Sequence, residues 1–287
     1  MNLRQDLRSR LARKELLVAP GVFDGISARI ADQMEFEALY MTGYGTVASH
    51  LGLPDAGIAT FSDMVGRVAM LAGGTKTPLI ADGDTGYGGL LNVQHTVRGY
   101  ETAGAVAIQL EDQEFPKKCG HMLGRRVVPV ADMVDKIRVA VASRDSRDFL
   151  IIARTDARTT LGLDEALRRA EAYAAAGADI LFVESPESLE EMRTIGRNFD
   201  KPLVANMVEG GRTPVLDKKT LEEIGYSIAI FPAFGFLAAG SALRNVYSHL
   251  KAQGSSVGSN AELYRFSDFS ELMGFGAVAD FDRTYGH

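Results

Sequence analysis

The chain has 287 residues, 46% of them hydrophobic and 24% charged, a balance that suits one large globular domain or two small ones. A net charge of -6 argues against the basic surface of a nucleic-acid binder, and no apolar run nears the roughly 18 residues that a membrane span needs. One cysteine cannot form an internal disulfide, so a reducing, cytoplasmic setting is expected.

In chain order, the opening segment "MNLRQDLRSRLARKELL" reads as a charged amphipathic helix without the apolar centre of a secretory signal. Short β-rich runs then alternate with helical patterns. They are "LLVAPG" from Leu16, "ALYMTG" from Ala38, "PLIADGD" from Pro78 and "AVAIQLED" from Ala105. Four more follow: "FLIIARTD" from Phe149, "DILFVES" from Asp179, "PLVANM" from Pro202 and "SIAIFP" from Ser227. Their nearly continuous hydrophobicity predicts burial on both faces, as in parallel sheets. Amphipathic segments such as "NVQHTVRGYETAGA" and "DEALRRAEAYAAAGA" lie between them, and the "AGA" sequences at Ala103 and Ala176 offer a glycine to end each helix. Eight strand–helix repeats predict a (β/α)8 TIM-type barrel in one domain over residues 1–287. After about residue 241, "SALRNVYSHLKAQG" and "AELYRFSDFSELMGFGAV" predict extra C-terminal helices. The second lies beyond the repeat and needs an apolar surface to cover, so an oligomer is expected.

Most of the strands end in polar residues: Thr42, Asp82 and Asp84, Glu111 and Asp112, Arg154 and Asp156, Glu184, Asn206. The carboxyl ends of barrel strands carry active sites because the following loops converge there. Solvated loop starts would explain one such residue, but so many acids side by side call for a cation. "ADGDTGYGG" sets Asp82 and Asp84 two apart among glycines, so both carboxylates point one way on an extended chain. Hard oxygen donors with room for water suit Mg²⁺, or Mn²⁺, better than zinc. One strand later, Glu111 and Asp112 are placed to hold metal-bound waters.

"EDQEFPKKCGHM" contains the cysteine, Cys119, with Lys117, Lys118 and His121 beside it and Gly120 freeing the backbone. Neighbouring cations favour the thiolate and make a thiol reactive. A buried structural cysteine is the bland alternative, but these flanks are too polar for a core and read as a mobile loop. The guanidinium fork of Arg154 suits a substrate carboxylate, or else an internal ion pair with a barrel acid.

Together, "ADGDTGYGG", "LEDQEFPKKCGHM", "IIARTDA" and "ANMVEGG" resemble, in that order, the isocitrate lyase and phosphoenolpyruvate mutase superfamily. The resemblance covers nearly the whole chain and implies an Mg²⁺-dependent barrel assembled as a homotetramer by exchange of a C-terminal helix. It implies that the "KKCGH" loop closes over substrate, with Lys117 and His121 in the catalytic group and Cys119 delivering a proton. Mutase and phosphonopyruvate hydrolase branches generally carry asparagine at that position, so Cys119 points to carbon–carbon cleavage of a 2-hydroxy dicarboxylate. It further implies that Thr42, Gly43, Tyr44, Gly120, Glu184 and Asn206 contact substrate and that Asp55 joins Asp82, Asp84 and Glu111 near the metal, a loop cap being the alternative for Asp55.

Methylisocitrate lyases of the family carry two arginines where this chain has Leu237 and Asn260, which would leave a third substrate carboxylate poorly paired. Oxaloacetate-hydrolysing members tend to have serine in place of Pro232, and proline donates no hydrogen bond. The expectation is therefore a 2,3-dimethylmalate-type lyase, with 2-methylisocitrate lyase or oxaloacetate hydrolase as alternatives. An inactive barrel kept as a binding subunit is the reading from another class, and the joint presence of Asp82, Asp84, Cys119 and Arg154 speaks against it.

Overall fold

The computed structural model describes residues 3–120 and 122–286. Among these, the eight expected apolar runs all form strands: β1 (Leu17–Val22), β2 (Leu39–Met41), β3 (Leu79–Asp82), β4 (Ala107–Glu111), β5 (Leu150–Thr155), β6 (Ile180–Val183), β7 (Val204–Asn206) and β8 (Ile228–Phe231). All pair in parallel, in the order β6-β5-β4-β3-β2-β1-β8-β7. A parallel bridge between Leu181 and Leu203, with the Leu181 amide donating to the Pro202 carbonyl at 3.0 Å, joins β6 to β7 and closes the ring.

The strand period of two divides the core. One set of alternating side chains, including Leu17, Tyr40, Ile80, Ile152, Phe182 and Ile230, fills the barrel interior. The other set, including Leu39, Met41, Ile108, Ile151 and Leu181, faces the surrounding helices. The amphipathic start forms a helix over Leu3–Leu11, whose Leu7 and Leu11 join the interior cluster. The two "AGA" glycines end their helices as expected: Gly104 and Gly177 have φ of 104° and 107°, a conformation other residues rarely adopt.

The chain divides into a barrel unit ending at Gly235 and a second unit beginning at Phe236, a little before the expected boundary near 241. The reason is that the long helix, Phe234–Gln253, starts almost directly after β8. The single helix expected over 261–278 is two short ones, Phe266–Leu272 and Phe275–Tyr285. Gly274, with φ of 95°, breaks it.

Candidate active site

Reading inward-facing positions upward along each strand leads from apolar residues to the polar ones. Arg154 follows Ile152 on β5, Glu184 follows Phe182, and Glu111 follows Gln109 on β4. Register sets Glu111 beside Arg154 and Asp82 beside Gln109, so the ionisable groups form one ring at the barrel mouth. All are buried: Asp82, Asp84, Glu111, Arg154, Asp156, Glu184 and Asn206 each lie at or below 8% exposure.

Two helical and loop segments complete this ring. Thr42 caps the helix Gly43–Leu51, its hydroxyl accepting from the Gly45 amide. Gly43 lies so near Asp82 that an added Cβ would stand 2.6 Å from Oδ2 and would displace that carboxylate. The amide dipoles of this helix start give the mouth a partial positive charge suited to a carboxylate. Tyr44, in the first turn, is part-exposed.

The described loop residues 113–120 and 122–126 are folded down over the mouth as a flap. Its two legs pair antiparallel at Gln113 and Val127. Gln113 Nε2 donates to Glu111 Oε1 at 2.9 Å and to the Lys118 carbonyl at 2.8 Å. The Cys119 amide donates to the Asp55 carbonyl at 3.2 Å, and the Ser185 hydroxyl reaches the Gly120 carbonyl at 3.0 Å. Gly120 packs directly on Arg154 and Glu184, whose side-chain ends an added Cβ would displace. The flap thus carries Cys119 to the mouth, and two of its neighbouring cations turn elsewhere. The Lys117 ammonium enters the acidic cluster, contacting Asp55 and lying 2.6 Å from Asp84, while Lys118 bonds the Gly124 carbonyl. The expected catalytic His121 lies outside the described residues.

The electrostatics of the cluster are dominated by negative charge. Six carboxylates (Asp55, Asp82, Asp84, Glu111, Asp156, Glu184) face three flap or barrel cations (Lys117, Arg125, Arg154). Burial, only partly offset by Lys117, pushes the Asp84 carboxyl up to about 6. Burial likewise raises Glu111 well above the carboxylate range against the pull of Arg154. Burial opposes charge on Lys117 too, but Asp84 and Asp55 outweigh it and hold the ammonium firmly protonated.

A hard cation fits this surplus. Oδ1 of Asp55 and Oδ1 of Asp84 are buried with no partner of hydrogen-bond geometry; only the Lys117 ammonium stands at ionic distance. Among the described residues no cage of three or more His, Cys, Asp or Glu donors is formed. The orphaned oxygens of Asp55 and Asp84 suit Mg²⁺, which takes one or two carboxylates and keeps several waters.

Arg154 is engaged in the internal pairing that was the alternative for it. Nε and Nη2 donate to the two oxygens of Asp156, each at 2.9 Å, and Nη1 lies 3.4 Å from Glu111. Its guanidinium also stacks over Phe182 at 5.2 Å. Asn206 Nδ2 donates to Glu184 Oε2 at 3.0 Å. Pro232 follows the end of β8, its backbone tight against Gly21. Leu237 and Asn260 belong to the second unit.

One reading needs correction. Asp112 does not face the mouth; it accepts from Thr155, the Asp156 amide, Arg169 and Tyr173, at 2.7–3.0 Å. It is structural, because Glu111 points inward and its neighbour on a strand must point outward. Arg125 escaped the sequence reading altogether. It is buried, binding Asp156 and Thr159, and "GRRVV" gives no sign that the first arginine is inside while Arg126 is out.

Comparison with known proteins shows the family. Residues 7–251 match the family model described as phosphoenolpyruvate phosphomutase. The chain is 47% identical over 285 residues to a 2,3-dimethylmalate lyase of Eubacterium barkeri, covering 99% of both chains. It is 42% identical to a 2-methylisocitrate lyase of Aeropyrum pernix, over 94% of this chain and 86% of that one. A crystal structure of 2,3-dimethylmalate lyase, described as a PEP mutase/isocitrate lyase superfamily member, superposes with a TM-score of 0.94 at 37% identity, covering 100% of this chain and 96% of that one. A phosphonopyruvate hydrolase in complex with oxalate and Mg²⁺ gives 0.90 at 31% identity, over 99% of each.

Proposed function

The chain belongs to the PEP mutase/isocitrate lyase superfamily, and from that premise we propose that it is a carbon–carbon lyase acting on a substituted malate. The favoured substrate is 2,3-dimethylmalate, cleaved at C2–C3 to pyruvate and propionate. The observation that carries this reading is a flap bearing the chain's one thiol, folded onto a ring of buried acids around Arg154.

Asp82 and Asp84, with Asp55 and Glu111 nearby through water, would hold Mg²⁺ or Mn²⁺. When bound, the ion acidifies the substrate's 2-hydroxyl and fixes its orientation. The remaining work falls to the protein. The amides at Gly43 and Tyr44 receive a carboxylate at the helix start. Arg154, held by Asp156, faces the same charge, while Glu184 and Asn206 line the wall beside it. A carboxylate of the mouth ring takes the hydroxyl proton as C2 becomes the carbonyl of pyruvate, and the C2–C3 electron pair passes into the enolate of propionate. The Arg154 guanidinium and the helix-start dipole, set among these acids, stabilise that enolate as its charge develops. Cys119 then gives its proton to C3 as general acid. Folded over the mouth, the flap excludes water that would otherwise quench the intermediate.

In the same reading the protein is cytoplasmic and a homotetramer. Its second unit exposes Tyr247, Phe266, Phe275, Phe281 and Tyr285, each more than half exposed, an apolar surface that association would cover.

The test is incubation with Mg²⁺ and a panel of malate and isocitrate derivatives, with 2-oxo acid followed by a coupled dehydrogenase. Pyruvate is expected from 2,3-dimethylmalate. Release of oxalate from oxaloacetate, or no 2-oxo acid from any compound, would overturn the assignment.

A further inference from the structure

Arg125 is a second buried cation carried by the flap, and the reaction as described above has no use for it. Its guanidinium leaves the outgoing leg and enters the barrel, fully buried. Nη1 binds Asp156 Oδ1, and Nη2 binds Thr159 and lies 3.4 Å from Ser185 Oγ. Asp156 Oδ1 also accepts from Arg154 Nη2, and its Oδ2 accepts from Arg154 Nε. One carboxylate therefore joins a flap arginine to the arginine of the mouth. Ser185 closes a second link, because its hydroxyl reaches the flap's Gly120 carbonyl and Glu184 Oε1 at 3.0 and 3.1 Å. It does so from a strained backbone, with φ of 59°, a conformation kept only where surroundings impose it.

We propose that Arg125 is a positioning residue: through Asp156 it ties the closed flap to the orientation of Arg154, so that closure and presentation of that guanidinium are one event. The physical reason lies in Asp156. It is completely buried and accepts the Arg154 fork at both oxygens; Arg125 pins Oδ1 from the other side. Without that pin the carboxylate is free to rotate and takes the fork with it. Reciprocally, a misplaced Asp156 removes the flap's anchor. The substrate-facing role of Arg154 is taken from the proposed lyase reading; the tie between flap and barrel stands apart from it.

Cys119 is the only cysteine and rides on the flap, so its alkylation rate with iodoacetamide reports flap opening without any substrate. The comparison is between the whole wild-type chain, Arg125→Lys, Arg154→Lys and the double variant, below their melting temperatures. Lysine keeps the charge but cannot reach Asp156, Thr159 and Ser185 together. Each single variant should be alkylated about tenfold faster, the factor carried by one charge-assisted hydrogen bond. The double variant should be no faster than the faster single one, since residues of one network do not add. In turnover, Arg125→Lys should lower kcat much more than it raises KM. Unchanged alkylation in either single variant, or multiplied rates in the double, overturns the proposal. So does faster alkylation of Arg125→Lys with wild-type kcat. Should Arg125→Lys fail to fold, Ser185→Ala takes its place with the same expected and opposing results. A wild-type chain that cleaves none of the acids would count against the lyase reading, and the four alkylation rates then decide the tie alone.

Discussion

Cys119 and Asp84 carry the two most specific consequences at the scale of single residues. A general acid contributes about two to four orders of magnitude, so Cys119→Ser should lose most turnover while Mn²⁺ affinity, read by electron paramagnetic resonance, stays as in wild type. A parallel loss of metal binding would end its role as proton donor. Asp84 has a pH signature. Its pKa in the fold is about 6, against an ordinary 3.8, so between those values the folded state holds a proton that the unfolded state has lost. Stability from this site therefore rises as pH falls from 6 toward 4, and is lowest above 6. In the metal-free protein, the urea midpoint of wild type relative to Asp84→Asn should move in that direction across the window and be flat above it. A difference that grows with pH instead would show that burial does not dominate this carboxyl. Asp82, Asp84, Arg154 and Cys119 were legible in the sequence because polar residues at the ends of apolar strands, and a thiol among cations, mark a site by type and position alone. Arg125 was not legible. Its burial depends on Asp156 and Thr159, more than 30 residues away, and no local pattern marks that meeting.

At the scale of elements, all eight strands could be read because parallel strands buried on both faces leave unbroken apolar runs. The choice between Glu111 and Asp112 was also available from alternation, once Gln109 is taken to face inward. Helix ends differ in how openly they announce themselves. Gly177 stands at φ of 107° with only Val141 near a would-be Cβ, at 3.4 Å or more, so its need for glycine is conformational. Gly177→Ala should cost about 1 kcal/mol or a little more in denaturant stability and leave the mouth untouched; a loss several times larger would mean that packing, not backbone, decides the position. The tail was harder to read. "AELYRFSDFSELMGFGAV" has helix-forming residues on both sides of Gly274, and a lone glycine inside a helical pattern is compatible with one helix or two.

For the whole molecule, the exposed aromatic side chains of the second unit make self-association the expected state. Light scattering should give the mass of four chains, and substituting Phe266 and Phe275 by serine should lower it; a monomer at micromolar concentration would remove the assembly from the functional reading. In the barrel unit, the Leu3–Leu11 helix sets Leu7 and Leu11 against the interior side chains, opposite the ring of acids. That leaves a cul-de-sac. Among the described residues the far side is filled by packed side chains, so both fragments of an acid split at the mouth should depart by the doorway through which the next acid arrives, and a fragment lingering on the threshold keeps the newcomer waiting outside.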